Sequence, residues 1–353
     1  MRGLSLFSGA GIGETYLSRI GVNIVVANEL VNKRAKLYRE LNPDCKMICG
    51  DISNEYIFSK IIKYSNDIDF MIASPPCQGM SIAGKNRNQN RMIDDKRNYL
   101  ITYVFEAIKL LKPKFIIIEN VPALLKIMLY YNGEPRFIID ILNDEFGDDY
   151  IIDGRVVDAS DYGVPQTRLR SIIKMYPKGT CWEWPEVVKK KATVREAIGN
   201  LPSLESGEYS EIKWHFARKH DKRHIIWMKH TPTGTSAFAN TIYYPQKIDG
   251  TKIKGYESSY RRIKWDEPAP TITIRNDAIS SQRNVHPGRL LKDGTYSDAR
   301  VLTPYELMIL SSLPKDWGIP DDTSEILIRQ VIGECIPPLM VEKIVGEIPC
   351  LKN

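Results

Sequence analysis

Four short stretches carry residue types that do chemistry. In ASPPCQGMS, at 73–81, Pro75 and Pro76 run into Cys77, and Gln78 and Gly79 follow. Each proline ring holds φ near about −65°, so the chain is stiffened just before a thiol and loosened just after it. That suits a cysteine aimed at a target better than one packed in a core. A free thiol titrates near about 8.5 and is mostly protonated at neutral pH, so it needs activation or an activated electrophile. IIIENVPAL, at 116–124, offers a partner. Glu119 ends an apolar run, where burial is expected to raise a carboxyl pKa, and it could share a proton with a ring nitrogen. Asn120 could fix its orientation. A capping acid before Val121 and Pro122 is the plainer reading of Glu119. In DYGVPQTRLR, at 161–170, Arg168 and Arg170 stand two apart on an expected strand, which gives them one face in common with Gln166. Two guanidiniums on one face call for a phosphate or a ring oxygen.

The fourth stretch is LFSGAGIGE at 6–14, with Gly9, Gly11 and Gly13 between an expected strand and a helix. Glycines there let the backbone approach a ligand closely. Glu29 ends the next strand, where an acid can bind ribose hydroxyls. Asp51, in GDIS at 50–53, ends another and is placed for an adenine amine. Surface acids are the plainer reading of both. The pattern is GxGxG followed by Glu14, whose charge would repel a pyrophosphate. That favours a nucleoside cofactor without phosphates, such as S-adenosylmethionine.

The elements that would position these residues alternate. GLSLF, NIVVANE, DFMIAS and KFIIIEN read as buried strands, and NYLITYVFEAIKLLK at 98–112 as a helix. Strand and helix in alternation predict an α/β fold, a doubly wound, mostly parallel sheet with helices on both faces. In such sheets ligands sit beyond the carboxyl ends of the strands, where Gly9, Glu29, Cys77 and Glu119 fall. From about 181 prolines, tryptophans, histidines and basic residues increase and the periodicity fades. GRLLKDGTYSDARVL at 288–302 looks like a hairpin. TPYELMILSSL returns to helix, with Thr303 as N-cap and Pro304 at the first helical position. IGECIPPLMVEKIVGEI reads as a closing helix after a Pro-Pro entry. The reading is two domains, a catalytic one at 1–180 plus 326–353 and a smaller, irregular one at 181–325 with a hinge.

The chain has 353 residues, 43% of them hydrophobic and 26% charged, with a net charge of +6. This is ordinary globular composition, and the length suits two lobes. No run of about 18 apolar residues predicts a membrane span, and the early glycines do not resemble a secretory signal. The expected location is the cytoplasm. The six cysteines form no CxxC pair, and no zinc spacing is present.

In order, these motifs resemble those of the DNA (cytosine-5) methyltransferases of bacterial restriction–modification systems. FSGAG resembles the family's cofactor loop, ANEL and GDI its ribose and adenine contacts, SPPCQGMS its nucleophile motif and ENV its acid motif. QTRLR is similar to its Gln-x-Arg-x-Arg motif, RVLTPYELMILSSLP to the segment after its recognition region, and IGECIPPLMVEKI to its last motif. The resemblance covers nearly the whole catalytic lobe. It implies a flipped-out cytosine, attack of Cys77 on C6, and protonation at N3 stabilised by Glu119. Methyl transfer to C5 from S-adenosylmethionine follows, then loss of the C5 proton to a base and departure of Cys77. Arg170, with Arg168 nearby, would hold the cytosine O2 and adjacent backbone. Phe7, Gly9, Gly11, Ile12, Glu29 and Leu30 would contact the cofactor, with Asp51, Ile52, Pro76 and Glu334. Gln78, Ser81, Asn120, Gln166, Lys85 and Arg87 would contact substrate. Two positions depart from the family. Gly333-Glu334-Cys335 replaces the usual Gly-Asn-Ser, and Gly79-Met80 follows Gln78 in place of a small-aromatic pair.

The family keeps its target-recognition region between QTRLR and RVLTP. Here KWHFARKHDKRHIIWMKH at 213–230 holds six Lys or Arg against one Asp. His220 and His224 are four apart, but no second ligand pair stands nearby, so nucleic-acid contact is the better reading than a metal. Arg218, Arg223, Arg261, Arg262, Arg283 and Arg289 are the candidates to touch the duplex, some at phosphates and a few at base edges. A solvated basic surface is the plainer alternative. Among rival functions, an RNA cytosine-5 methyltransferase is nearest. The Cys-Phe-Thr signature of the tRNA-modifying branch is absent, and other RNA enzymes place Thr-Cys where this chain has Glu119-Asn120. A nicotinamide dehydrogenase leaves Cys77, Glu119 and the arginines unexplained. A zinc deaminase would need a second cysteine at Met80. The expected partners are double-stranded DNA and a restriction endonuclease that shares the target site without a stable complex; the expected state is a monomer without a metal.

Overall fold

The computed structural model describes residues 1–76 and 99–352. Cys77, Gln78, Ser81, Lys85 and Arg87 lie outside the described residues. Backbone packing divides the chain into two compact units. One comprises 1–158, 169–186 and 340–353, and the other 159–168 and 187–339.

The first unit is built on a seven-stranded sheet of order β3-β2-β1-β4-β5-β9-β8. Its first five strands are β1 (Arg2–Leu6), β2 (Asn23–Glu29), β3 (Lys46–Cys49), β4 (Phe70–Ala73) and β5 (Phe115–Asn120), all parallel to one another. A separate two-stranded sheet joins β6 (Met128–Tyr131) to β7 (Glu134–Phe137). Two long strands, β8 (Tyr150–Asp158) and β9 (Leu169–Pro177), complete the main sheet, with β9 antiparallel to β5. Every residue of β4 and β5 is buried. Successive side chains of a strand point to opposite faces, so both faces of the sheet centre are covered, as the sequence predicts. Chain order reverses between β1 and β4, which makes their carboxyl ends a topological switch point where ligands bind.

Helices α1 (Asn32–Leu41), α2 (Glu55–Tyr64), α3 (Ile101–Leu111) and α4 (Ile138–Phe146) belong to this unit. In α3 the buried residues include Ile101, Val104, Phe105 and Ile108, the i, i+3, i+4, i+7 stripe of a helix with one face in the core. They meet Met71, Ile116, Ile118 and Ile173 from the sheet in one apolar cluster.

The second unit has few regular strands and is held mostly by isolated bridges. Its helices are α5 (Val194–Ile198), α6 (Lys222–Lys229), α7 (Pro304–Leu310) and α8 (Glu325–Glu334). Thr303 caps α7 as expected. Its hydroxyl accepts the Glu306 N–H at 3.1 Å, and Glu306 Oε2 accepts the Thr303 N–H at 2.7 Å, a full capping box. The expected hairpin at 288–302 reduces to a tight turn. Leu291 N–H donates to Thr295 O at 2.8 Å, beside a single bridge between Leu290 and Tyr296. A small core gathers Trp227, Met228, Tyr260, Ile279, Val285 and Val301.

An irregular chain leaves buried carbonyls without a ladder, and these must be paired. Four fully buried arginines supply the donors: Arg168, Arg262, Arg300 and Arg329. Arg262 alone reaches the carbonyls of Met228, His286, Ser297 and Asp298 at 2.8–3.3 Å. The last helix, α9 (Pro338–Gly346), passes into the first unit from Met340 on. There Trp182 Nε1 donates to Ile344 O at 2.8 Å.

Candidate active site

The loop after β1 turns through left-handed backbone. Phe7, Gly9 and Gly11 have φ of 58°, 58° and 76°. Glycine at position 11 is required twice over, because a Cβ there would also lie 2.8 Å from the Tyr38 ring. Phe7 holds the same conformation without being glycine, a strain that concentrates at functional sites. Glu29 ends β2 and ties the loop down. Its Oε2 accepts the Gly9 N–H at 2.9 Å, and its Oε1 accepts the Val31 N–H at 2.7 Å. Asn28 Nδ2 donates to Ile48 O at 3.0 Å and Gly50 O at 3.1 Å, which joins the ends of β2 and β3. Asp51 is exposed, with Oδ1 taking the N–H and hydroxyl of Ser53. Leu30 is 60% exposed, an apolar side chain left at the carboxyl edge of the sheet.

Ile12 and Ile52 were expected at the cofactor, but their side chains are packed in the core at 3% and 2% exposure. Only their main-chain groups remain for a ligand. Glu14 also departs from expectation. Its carboxyl turns inward, where it accepts hydrogen bonds from the Ser5 hydroxyl and, at 2.5 Å, from the Tyr38 hydroxyl. Charge repulsion of a phosphate is therefore not its task. Burial pushes its pKa up to about 7, against the opposing pull of the bonds from Ser5 and Tyr38.

The second part of the site forms where β4 and β5 end and β9 begins. Ser74 N–H donates to Leu6 O at 3.2 Å. Asn120 Nδ2 donates to Pro75 O at 3.0 Å, and its Oδ1 accepts the Val121 N–H at 2.8 Å. Asn120 thus fastens the acid motif to the Pro75–Pro76 segment that leads to Cys77. Ser171 on β9 holds the other side, its hydroxyl 2.9 Å from Val121 O. Glu119 is 8% exposed, and Arg170 Nε lies 2.9 Å from its Oε1. The apolar run around Glu119 gives no sign of this guanidinium.

Gln166 and Arg168 do not share a strand face with Arg170. The strand begins at Leu169, and both residues precede it in the second unit. Gln166 Oε1 accepts the Ile272 N–H at 3.1 Å, and its Nε2 faces Leu310 O and Ser311 Oγ. Arg168 donates to Ile272 O at 2.7 Å and Gly333 O at 2.9 Å. Both side chains are 1% exposed, so they tie backbone segments together rather than face a base. Arg262, expected at the duplex, is likewise buried on its four carbonyls. Its type signals positive charge, but the irregular backbone around it consumes that charge's donors.

The other basic candidates divide. Arg223 and Arg283 are exposed, with Asp221 beside Arg223 at 3.4 Å. Arg261 is half-buried and donates to Gly234 O at 2.8 Å. Arg218 pairs with Glu325 at 3.3 Å, and Arg289 with Asp298 at 3.3 Å. Glu334 is exposed at the end of α8, in the second unit. The sequence reading missed Ser5, Tyr38 and Ser171, whose roles depend on partners far away in the chain.

A family model for C-5 cytosine-specific DNA methylases matches residues 1–350. The Type II methyltransferase M1.HgaI of Avibacterium volantium is 62% identical over 348 residues, which span 98% of this chain and 97% of that protein. The Type II methyltransferase M1.HphI of Haemophilus parahaemolyticus is 30% identical over 344 residues, 97% of this chain and 84% of that protein. Among solved structures, a DNA modification methyltransferase encoded within an E. coli prophage superposes with a TM-score of 0.73. It is 23% identical and covers 100% of this chain and 99% of that one. The Entamoeba histolytica methyltransferase EhMeth gives 0.66 at 14% identity, with 99% of this chain and 97% of that one covered. The chain belongs to the C-5 cytosine-specific DNA methylase family: it is a DNA (cytosine-5) methyltransferase.

Proposed function

We propose that the protein methylates C5 of a cytosine flipped out of double-stranded DNA, within one short target sequence, as the modification arm of a restriction–modification system. The observation that carries this reading is the joint at the sheet's carboxyl edge. Asn120 binds Pro75 O at 3.0 Å while its neighbour Glu119 pairs with Arg170 at 2.9 Å. One β5 end thus positions both the acid and the approach to the thiol. Cys77 adds to C6 of the ring. Glu119 supports the proton at N3 that makes C6 electrophilic, and Arg170 holds Glu119 and the O2 side of the base. A base, with water the simplest, takes the C5 proton, and Cys77 leaves by elimination, restoring the ring double bond.

S-adenosylmethionine, when bound, supplies the electrophilic methyl group and leaves as S-adenosylhomocysteine. The residues present fit its nucleoside. The left-handed loop at Gly9 and Gly11 gives close backbone approach. The Glu29 carboxylate has about four acceptor sites, and two serve Gly9 and Val31, which leaves capacity for ribose hydroxyls. Leu30 offers an apolar surface for the adenine ring and Asp51 an acceptor for its amine. Phe7, Pro76 and the main chain of Ile12 and Ile52 complete the candidate contacts, with Glu334 replacing the family's usual asparagine.

Arg223, Arg261 and Arg283 are the stronger candidates for the duplex, with Gln78, Ser81, Lys85 and Arg87 assigned to the same substrate from the sequence. Among the described residues no helix is long and apolar enough to cross a membrane. A monomer in the cytoplasm, beside a separate endonuclease for the same site, completes the proposal. Bisulfite sequencing of unmethylated plasmid DNA and, in parallel, of total RNA, each incubated with the protein and S-adenosylmethionine, tests it. Protected cytosines within one recurring short sequence are expected. Protection of RNA cytosines alone would overturn the DNA assignment in favour of an RNA enzyme.

A further inference from the structure

We propose that Glu14 and Tyr38 form a clamp that sets the shape of the glycine loop, which makes them positioning residues for cofactor binding. The proposal rests on the reading of that loop as the cofactor site. Glu14 closes the loop's last turn, where its N–H donates to Gly11 O at 3.1 Å. Its carboxyl reaches back to Ser5 on β1 and across to Tyr38 on α1. The fully buried Tyr38 grips the loop twice. Its ring lies against the Gly11 Cα, at the place where a Cβ would clash, and its hydroxyl holds Glu14. From the other side Glu29 holds the Gly9 N–H. The left-handed residues Gly9 and Gly11 are therefore each held by a side chain from a further element.

A carboxyl is an expensive way to fill this space. Burying it costs free energy unless every acceptor is used, and an apolar side chain would pack without that cost. Its hydrogen bonds do what packing cannot, because they fix direction between β1, the loop and α1. The titratable groups facing Glu14 are Tyr38 and, beyond it, Cys45, whose Sγ lies 3.5 Å from the Tyr38 hydroxyl. Burial pushes Tyr38 well up and Cys45 up to about 12, so between pH 6 and 8 Glu14 is the group of the three that titrates. Tyr38 and Ser5 both donate to the Glu14 carboxyl, which ties β1 and α1 to the loop's last turn.

Calorimetric titration of the full chain with S-adenosylhomocysteine tests this, since that probe has the nucleoside and amino acid but no sulfonium charge. Glu14→Gln keeps the size but puts an NH2, which cannot accept, in place of one of the two acceptor oxygens that Ser5 and Tyr38 use, and should bind several-fold more weakly than the wild type. Tyr38→Phe should bind several-fold more weakly, since the loop loses the hydroxyl that holds Glu14, with the cofactor KM rising more than kcat falls. Glu29→Ala serves as the site control. Wild-type affinity in both Glu14→Gln and Tyr38→Phe, with weakened binding in Glu29→Ala, would overturn the clamp and leave the site standing. Unchanged binding in all three would overturn the site itself.

Discussion

Arg170 and Glu119 meet because of strand register. Across the β5–β9 ladder Glu119 is paired with Ile172, and Arg170 stands two residues before it on the same face. The 2.9 Å ion pair is thus a diagonal cross-strand contact, mostly shielded from water on both sides. If Glu119 supports the N3 proton, Glu119→Gln lowers kcat by about 10² to 10⁴. Arg170→Ala lowers it too, and Arg170→Lys restores only part, since a lysine keeps charge but loses the planar fork. The double variant should be scarcely worse than the worse single one, because the pair acts as a unit. Single-turnover methyl transfer measures this. Additive losses would show that the two residues act separately.

Asn120 carries a prediction of a different kind. Its amide binds Pro75 O and Val121 N, so Asn120→Ala frees the segment that leads to the thiol. The fold loses about 1–3 kcal/mol from the orphaned groups, a modest fall in Tm. The rate of covalent capture of a 5-fluorocytosine-containing duplex by Cys77 should fall far more. Equal capture rates in variant and wild type would remove Asn120 from the positioning of the nucleophile.

Much of the catalytic half was legible because its signals are local. NIVVANE is apolar, β-branched and ended by an acid, and β2 spans Asn23–Glu29. The capping box at Thr303 and Glu306 is likewise written in four consecutive residues. β8 and β9 were not legible as an antiparallel pair, because β8 is half exposed along its length and its partner is chosen only by the ladder. Glu14 shows the same limit at a site. Spacing places it after the glycines, but only the fold brings Ser5 and Tyr38 to its carboxyl. Arg262 of the second unit was hard to read for a third reason. Positive charge in an irregular segment fits a phosphate contact and a carbonyl fastener equally, and burial alone tells Arg262 from Arg223.

That distinction can be measured. Arg262→Ala removes a donor from four buried carbonyls; Met228 O and Asp298 O keep backbone N–H partners, while His286 O and Ser297 O lose theirs, at about 1–3 kcal/mol for each orphaned acceptor. A large fall in Tm is expected before any effect on DNA is seen. Arg223→Ala should leave Tm nearly unchanged. If Arg223 neutralises one phosphate, the variant binds DNA more weakly, and the slope of log K against log salt falls by about 1. An unchanged salt slope would place Arg223 away from the duplex.

The buried charge network of the second unit predicts how that unit responds to acid. Arg300 binds Glu306 at 2.8 and 2.9 Å and Asp298 at 2.8 Å, while His286 lies 3.8 Å from Asp298 and 3.7 Å from Glu306. Burial, then the charge of Arg300, pushes His286 from its ordinary 6.5 down to about 3. Burial alone would raise Glu306, but the charge and hydrogen bonds of Arg300 prevail and bring it from 4.5 to about 2. Both groups then bind protons more readily in the unfolded chain, His286 below 6.5 and Glu306 below 4.5. Each contributes stability that is full above those values and lost as pH falls. Glu14 in the first unit acts in the opposite sense: its raised pKa makes its contribution full below 4.5 and lost as pH rises through about 7. The Tm of the wild type alone therefore mixes two opposed slopes. The difference in Tm between wild type and His286→Gln cancels the Glu14 contribution and isolates the network. The variant, whatever its offset at pH 7.5, should gain on the wild type as pH falls from 6.5 to 4.5. A constant difference across that window would mean that His286 takes up its proton in the folded protein as easily as in the unfolded chain, and that the network does not hold it neutral.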